Sequence, residues 1–274
     1  MPAFAAISPD KLARLIGTPR APLIIDVREA DALSGDPRLL PCSIHFPYET
    51  AETWAAGYRG QSVAVACQRG KKLAEGAAAW LRHFGATAEV IEGGFEAWRD
   101  AGLPLVPLAA IPRRNADGST LWVTRSRPKI DRIACPWLIR RFVDPRAVFF
   151  FVTPAEVVAV AERFGATPFD IEGVPFSHRG DLCTFDVMLD EFGLITPALA
   201  RLATIVRGAD TARLDLAPEV PGLLAASLGL SRMYSDDLEQ LEAGLLLYDA
   251  FYRWSRDATE ETHNWPAPSA KPEK

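Results

Sequence analysis

The sequence, 274 residues long, is sparing with cysteine, histidine and long apolar stretches. Its longest uninterrupted apolar run is the six residues Ala147 to Val152, against the roughly 20 that a helical membrane span needs, so no insertion into a membrane is expected. The four cysteines (Cys42, Cys67, Cys135 and Cys183) lie far apart with no CxxC spacing. Neither a disulfide framework nor a thiolate zinc site is indicated, and reduced thiols are expected. No HExxH-like spacing is found around the four histidines, so no helix-borne zinc motif is announced. Asp10 and Lys11 follow a short, weakly apolar start without a basic lead-in, which argues against a secretory signal and for a cytoplasmic location.

Hydrophobic residues make up 49% of the chain and charged residues 24%, a globular composition long enough for two domains of about 100 to 200 residues each. The formal net charge of -5 hides an asymmetry. Residues 1–107 carry 11 basic and 12 acidic side chains, residues 113–146 carry nine basic and three acidic, and residues 147–274 carry 10 basic and 20 acidic. A basic segment thus precedes an acidic body, and electrostatics alone would let it meet an anion, a nucleic acid or its own acidic domain.

Residues 1–107 alternate short β-rich runs with helix-like runs: a helix started by Ser8 and Pro9, strands at Leu23 to Asp26, Ile44 to Phe46, Val63 to Ala66 and Glu89 to Ile91, and helices at Leu73 to Phe84 and Phe95 to Ala101. That alternation predicts a parallel α/β sheet flanked by helices. Residues 108–119 lack a periodic apolar face and read as a linker. Over residues 120–258, strands at Leu121 to Thr124 and Val148 to Val152 are outnumbered by six helical stretches, predicting a second, mainly α-helical domain. The longest stretch, Asp236 to Arg256, repeats Leu238, Leu241, Leu245, Tyr248 and Tyr252 at the spacing of a buried stripe. Residues 259–274 are expected to be disordered.

Cys67-Gln68-Arg69-Gly70-Lys71-Lys72 follows an apolar strand and precedes a helix. Ligands of parallel sheets gather at the carboxyl ends of strands, and the free NH groups of the next helix stabilise an anion there. A thiolate is such an anion. Arg69, Lys71 and Lys72 add positive charge, and Gly70 permits the positive φ that turns NH groups inward. A cysteine ending a strand is otherwise an inert small apolar residue; three cations and a glycine in the next five positions favour a nucleophile.

Four ordered motifs then resemble the rhodanese-like family over about Ile7 to Val106: Leu23 to Glu29 with its DVRE signature, Ser43-Ile44-His45-Phe46-Pro47, the CxxGx[RK] loop Cys67 to Lys72, and Gly93-Gly94-Phe95-Glu96-Ala97-Trp98. The resemblance implies a sulfurtransferase in which Cys67 carries a sulfane sulfur as a persulfide from a donor such as thiosulfate to a thiophilic acceptor, with Gln68, Arg69, Gly70, Lys71 and Lys72 holding the donor and no cofactor needed. Cys42 stands where the family usually has glycine. Phosphatase and arsenate-reductase relatives place Arg after five intervening residues; here the basic residue comes after four, which favours sulfur over phosphate. Asp26 and Arg28 read as an internal pair supporting the loop, and His45 and His83 as ordinary structural residues.

In the second domain, Arg125, Arg127, Lys129 and Arg132 are interleaved with Trp122 and Trp137 and form a candidate oxyanion site, although an intramolecular salt-bridge face explains the same residues. His178 lies in Ser177-His178-Arg179-Gly180, and Asp186, Asp210, Glu242 and Asp249 sit among apolar residues. Buried carboxylates need partners. A Mn, Fe or Zn ion held by His178, Asp186, Glu242 and Asp249 would supply one, with Arg253, four after Asp249, as the ordinary alternative. About Thr120 to Asp257 resembles the C-terminal domain of the chromate-resistance protein B family, through Trp122 to Phe142, Ser177 to Gly180, Cys183 to Asp186, Arg207 to Thr211, Gly222 to Ser231, Leu241-Glu242 and Tyr248-Asp249. That resemblance implies a role in chromate resistance or chromate-responsive regulation, with chromate or another oxyanion as a partner. The family's DNA-binding N-terminal region is absent from this match, so DNA binding is not carried over. Two other readings stand beside a sulfurtransferase: a chromate-responsive regulator with Cys67 as sensor, and a Mn- or Fe-dependent redox protein.

Overall fold

A computed structural model describes residues 5–263; residues 1–4 and, of the expected disordered tail, residues 264–274 lie outside the described residues. The first unit runs β1 (Ala6–Ile7), α1 (Pro9–Leu15), β2 (Leu23–Asp26), α2 (Ala30–Gly35), β3 (Arg38–Leu39), β4 (Ser43–His45), α3 (Ala51–Trp54), β5 (Ser62–Ala66), α4 (Lys72–His83), β6 (Thr87–Ile91), α5 (Gly94–Asp100) and β7 (Val106–Pro107). Five strands form a parallel sheet in the order β1-β6-β5-β2-β4, the α/β class expected from the alternation. β5 is central and nearly all buried because helices cover both faces, which is why Val63 to Ala66 reads as a continuous apolar run. Ser8 caps α1, accepting from the Lys11 backbone N at 3.3 Å, with Pro9 in the first turn. The two-residue strands β1, β3 and β7 carry too few residues to show a period, and the sequence did not announce them.

The second unit contains β8 (Leu121–Arg125), α6 (Asp131–Leu138), β9 (Val148–Val152), α7 (Val157–Phe164), β10 (Thr167–Pro168), α8 (Thr184–Glu191), α9 (Pro197–Asp210), α10 (Val220–Met233) and α11 (Asp237–Asp257). It is mainly helical, as expected, around a small parallel sheet ordered β10-β8-β9. Pro136 lies inside α6, and the chain leaves that helix through a wide π-type turn, Ile139–Val143. On α11, Leu241, Leu245, Tyr248 and Tyr252 are buried, but Leu238, expected in the same stripe, is exposed at the helix start. Gly244 on this face lets α11 approach α6 so closely that a Cβ would lie 2.6 Å from Ile133 Cγ2.

One apolar core runs through both units. It joins Leu12, Ile16, Phe95 and Trp98 of the first to Trp137, Phe142, Tyr248 and Tyr252 of the second. Cys42 holds the junction: its backbone adopts φ 62°, the left-handed geometry that favours glycine, and its N donates to the Phe142 carbonyl at 2.8 Å. The connecting stretch 108–119 is itself anchored. Leu108 N donates to the Pro37 carbonyl at 2.9 Å, Asn115 closes a turn with Ser119, and Arg114 meets the buried Asp144 at 3.1 Å. All four cysteines are buried and unbridged.

Gly17 marks how tightly the units meet, since a Cβ there would lie 2.5 Å from Phe142 Cζ and 2.6 Å from Tyr252 Cε1. Gly17→Ala is expected to destabilise the protein by about 1 to 3 kcal/mol through overpacking, measured by urea denaturation. The shared core predicts that both units lose stability together, in one transition.

Candidate functional sites

Cys67 follows β5 and is buried, with its Sγ accepting from the Lys71 backbone N at 3.3 Å as the chain turns into α4. The turn is locked from below. Gly70 and Gly94 both have φ of 60°, and a Cβ on either would overlap the other turn's backbone: Gly70 against Ile91 O and the N of Gly93 and Gly94, Gly94 against Cys67 O and Gly70 N. Across this contact Phe95 N donates to Cys67 O at 2.9 Å and Glu96 N to Gln68 O at 3.1 Å. The first turn of α5 therefore holds the loop that starts α4.

Glu96, which sequence reasoning placed only within a motif, orders the loop's side chains. Its Oε1 accepts from Gln68 Nε2 at 3.0 Å and its Oε2 from Arg69 Nε at 3.3 Å. Lys71 and Lys72 remain exposed at the mouth. Beneath, Arg28 Nε donates to Asp26 Oδ2 at 2.8 Å with both side chains fully buried. Arg28 also donates to the carbonyls of Asp36 and Arg38 and stacks 3.7 Å from the Phe95 ring centroid. Burial pushes the Asp26 carboxyl up, and Arg28 opposes that. The pair thus ties the ends of β2 to α5.

A second polar cluster lies where α6 begins and α9 ends. His178 Nε2 is 3.2 Å from Asp210 Oδ2 and 3.6 Å from both Asp131 Oδ2 and Asp170 Oδ1. Asp131 is wholly buried; its Oδ2 accepts from Thr184 N at 2.6 Å, whereas its Oδ1 has no hydrogen-bond partner among the described residues. Asp170 accepts from Thr184 Oγ1 at 3.0 Å through Oδ1, and its Oδ2 meets Arg125 at 3.0 Å and Arg132 at 3.3 Å. Burial, then the neighbouring carboxylates Asp210 and Asp170, raise the Asp131 carboxyl well above its ordinary range; burial and Asp170 raise Asp210.

Residues 8–101 match the model of the rhodanese-like domain and residues 122–255 that of the ChrB C-terminal domain. The chain joins a rhodanese-like domain to a ChrB C-terminal domain. Protein ChrB of Cupriavidus metallidurans is 36% identical over 146 residues, covering 52% of this chain and 43% of that protein, so this chain matches less than half of that relative's length. Among solved structures, a rhodanese-related protein from Thermoplasma volcanium is 28% identical, covers 38% of this chain and 98% of that one, and superposes with a TM-score of 0.33. A rhodanese-like domain protein from Staphylococcus aureus is 21% identical over 35% of this chain and 91% of that one, with a TM-score of 0.32.

In the ChrB domain the ligand set expected from sequence does not assemble. Only His178 of that set faces the cluster. Asp186 pairs with Arg207 at 2.6 Å and Asp249 with Arg141 at 2.8 Å and with Trp137 Nε1 at 2.8 Å; Glu242 pairs with Arg140. Glu242 and Asp249 do share one side of α11, but that side meets the two arginines of the turn after α6. Arg253 turns instead to Asp257. The expected oxyanion residues are engaged too. Arg125 and Arg132 are drawn to Asp170, Arg127 donates to the Ser231 carbonyl at 2.9 Å, and Lys129 is exposed, with no ion pair among the described residues. Asp131 and Asp170, which the sequence did not single out beside His178, carry no periodic signal; Asp131 stands alone in a basic run, and Asp170 in a loop at φ 53°.

A buried carboxyl raised by desolvation and like charge holds its proton more tightly folded than unfolded, so stability falls as pH rises above the ordinary 3.8 toward the folded value. Asp131→Asn is therefore expected to stabilise the chelator-treated protein by about 1 to 3 kcal/mol at neutral pH and by little at pH 4, as read from urea titrations at the two pH values.

Proposed function

We propose that this protein is a cytoplasmic sulfurtransferase in which Cys67 of the rhodanese-like domain carries sulfur, joined to a ChrB domain that links the activity to chromate or oxidative stress. The observation that carries the reading is the Cys67 turn, where one thiol sits against the start of α4 on a loop fixed by Gly70, Gly94 and Glu96. The Cys67 thiolate attacks the sulfane sulfur of a donor such as thiosulfate; the S–S bond of the donor breaks, and sulfite leaves with the electron pair. A thiophilic acceptor such as cyanide then attacks the outer sulfur of the Cys67 persulfide, forming thiocyanate and returning the thiolate. Sulfur changes hands with no external oxidant or reductant.

In this scheme Lys71 and Lys72, exposed at the mouth, draw in the anionic donor, while Glu96 holds Gln68 and Arg69 at the rim. The spacing of four residues between Cys67 and Lys72 is the one that resemblance to the rhodanese-like family associates with sulfur rather than phosphate. A DNA-binding regulator draws less support, because Arg114, Arg125, Arg132, Arg140 and Arg141 of the basic segment are paired with acids of the same chain. Among the described residues no helix is long and apolar enough to cross a membrane.

The test is steady-state sulfur transfer from thiosulfate to cyanide. Wild type is expected to turn over and Cys67→Ser to fall to background, while Glu96→Gln, which keeps one acceptor for the loop, retains activity with a raised KM. Equal rates in wild type and Cys67→Ser would remove the proposal.

A further inference from the structure

We propose that Asp131, Asp170, Asp210 and His178 bind one divalent transition-metal ion in the ChrB domain, independently of the sulfur chemistry at Cys67. The four side chains come from separate places: the start of α6, the loops after β10, and the end of α9. One ring nitrogen of His178 and one carboxylate oxygen from each of Asp131 and Asp170 lie within 4.8 Å of one another, and Asp210 stands just outside this group. Around His178 Nε2 the oxygens of Asp210, Asp131 and Asp170 stand at 3.2, 3.6 and 3.6 Å. The three distances from His178 Nε2 are close to an edge of a coordination tetrahedron, about 3.4 Å for metal–ligand bonds near 2.1 Å. Asp131, Asp170 and His178 are thus already near the positions a bound ion would give them, and Asp210 would close in beside the imidazole.

The charge and hydrogen-bond pattern points to a missing cation. Asp131 is wholly buried and the Cys183 thiol approaches its carboxyl, yet among the described residues its Oδ1 has no hydrogen-bond partner within normal distance, a costly state for a carboxylate unless something positive meets it. Arg125 and Arg132 both spend their contact on one oxygen, Asp170 Oδ2, which leaves Oδ1 facing His178 and leaves Asp131 and Asp210 without a guanidinium. Three carboxylates thus meet two arginines and one imidazole. The surrounding groups hold the ligands as an outer shell does: Thr184 donates its N to Asp131 and its Oγ1 to Asp170. One imidazole with three carboxylates is a borderline-to-hard donor set that suits Mn2+, Fe2+ or Zn2+ better than a soft ion. His178, with a side chain 41% exposed, leaves the site open to water from that side.

The alternative for the same geometry is a protonated His178 serving as counter-ion to the three acids. Titration calorimetry of the chelator-treated full chain with Mn2+ alone and with Zn2+ alone separates the two. One equivalent of at least one ion is expected to bind and to raise the melting temperature. His178→Ala, a change at a half-exposed side chain that the core does not need, and Asp210→Asn are each expected to weaken binding tenfold or more. Glu242→Gln, on exposed α11 surface away from the cluster, should leave it unchanged. Absence of binding by both ions, or equal affinity in wild type, His178→Ala and Asp210→Asn, would overturn the site and leave the counter-ion arrangement in its place.

Discussion

The contact between two backbone turns, at Gly70 and Gly94, fixes what the rhodanese-like domain can do. No side chain fits between them, so the loop that carries Cys67 is held by main-chain hydrogen bonds to α5 rather than by side-chain packing that could relax. From that contact the rest follows in order. Phe95, next in the chain, places its ring under Arg28; Arg28 neutralises Asp26 and caps the carbonyls of residues 36 and 38; and those residues lead through β3 to β7 and the connection to the ChrB domain. A buried ion pair is seldom a large source of stability. Here its use is positional, because each of its hydrogen bonds ties a different segment to the loop.

The ChrB domain is organised by charge neutralisation. In the basic segment that opens it, Arg140 and Arg141 pair with Glu242 and Asp249 of α11, Arg125 and Arg132 with Asp170, and Arg114 with Asp144 of the segment itself, so its charge is met largely within the domain. The exception is the group around His178, where acids outnumber the cations that reach them. Such a concentration of buried acids is costly unless a proton or a cation offsets it. The two domains are not independent modules on a tether, since Trp98, Phe142 and Tyr252 belong to one core and Cys42 N donates to the Phe142 carbonyl, and the Cys67 loop and the His178 cluster are carried on a single packed body.

Much of this was legible in the sequence, for physical reasons that can be named. Ser8-Pro9-Asp10 marks a helix start because cap, fixed φ and dipole agree; the apolar run Val63 to Ala66 marks a central parallel strand because both of its faces are covered; and the Cys67 loop is recognisable because its chemistry and its turn are contiguous in the chain. The His178 cluster was legible only in part. His178 stood out as the one histidine of the compact ChrB domain, but its neighbours come from positions 131, 170 and 210, and nothing local tells which acids tertiary packing will bring together. Glu242 and Asp249 misled for the same reason: their common helical face was readable, whereas Arg140 and Arg141 opposite them come from another element. Cys42 departs from glycine at a left-handed position, a departure visible in the sequence whose role at the domain junction only the fold explains.

All four thiols are buried, but their surroundings differ. Cys42, Cys135 and Cys183 are pushed up by desolvation, Cys135 and Cys183 also by the Asp131 carboxylate, which leaves them poor nucleophiles, whereas Cys67 Sγ accepts the NH of Lys71 at the mouth of its loop. The most direct measurement is therefore peptide-level mass mapping of the non-reduced protein after brief exposure to thiosulfate. The account predicts one added sulfur atom, on the peptide containing Cys67 and on no other, removed by cyanide. A sulfur adduct on Cys42, Cys135 or Cys183, or none on Cys67 in folded, reduced protein, would contradict it.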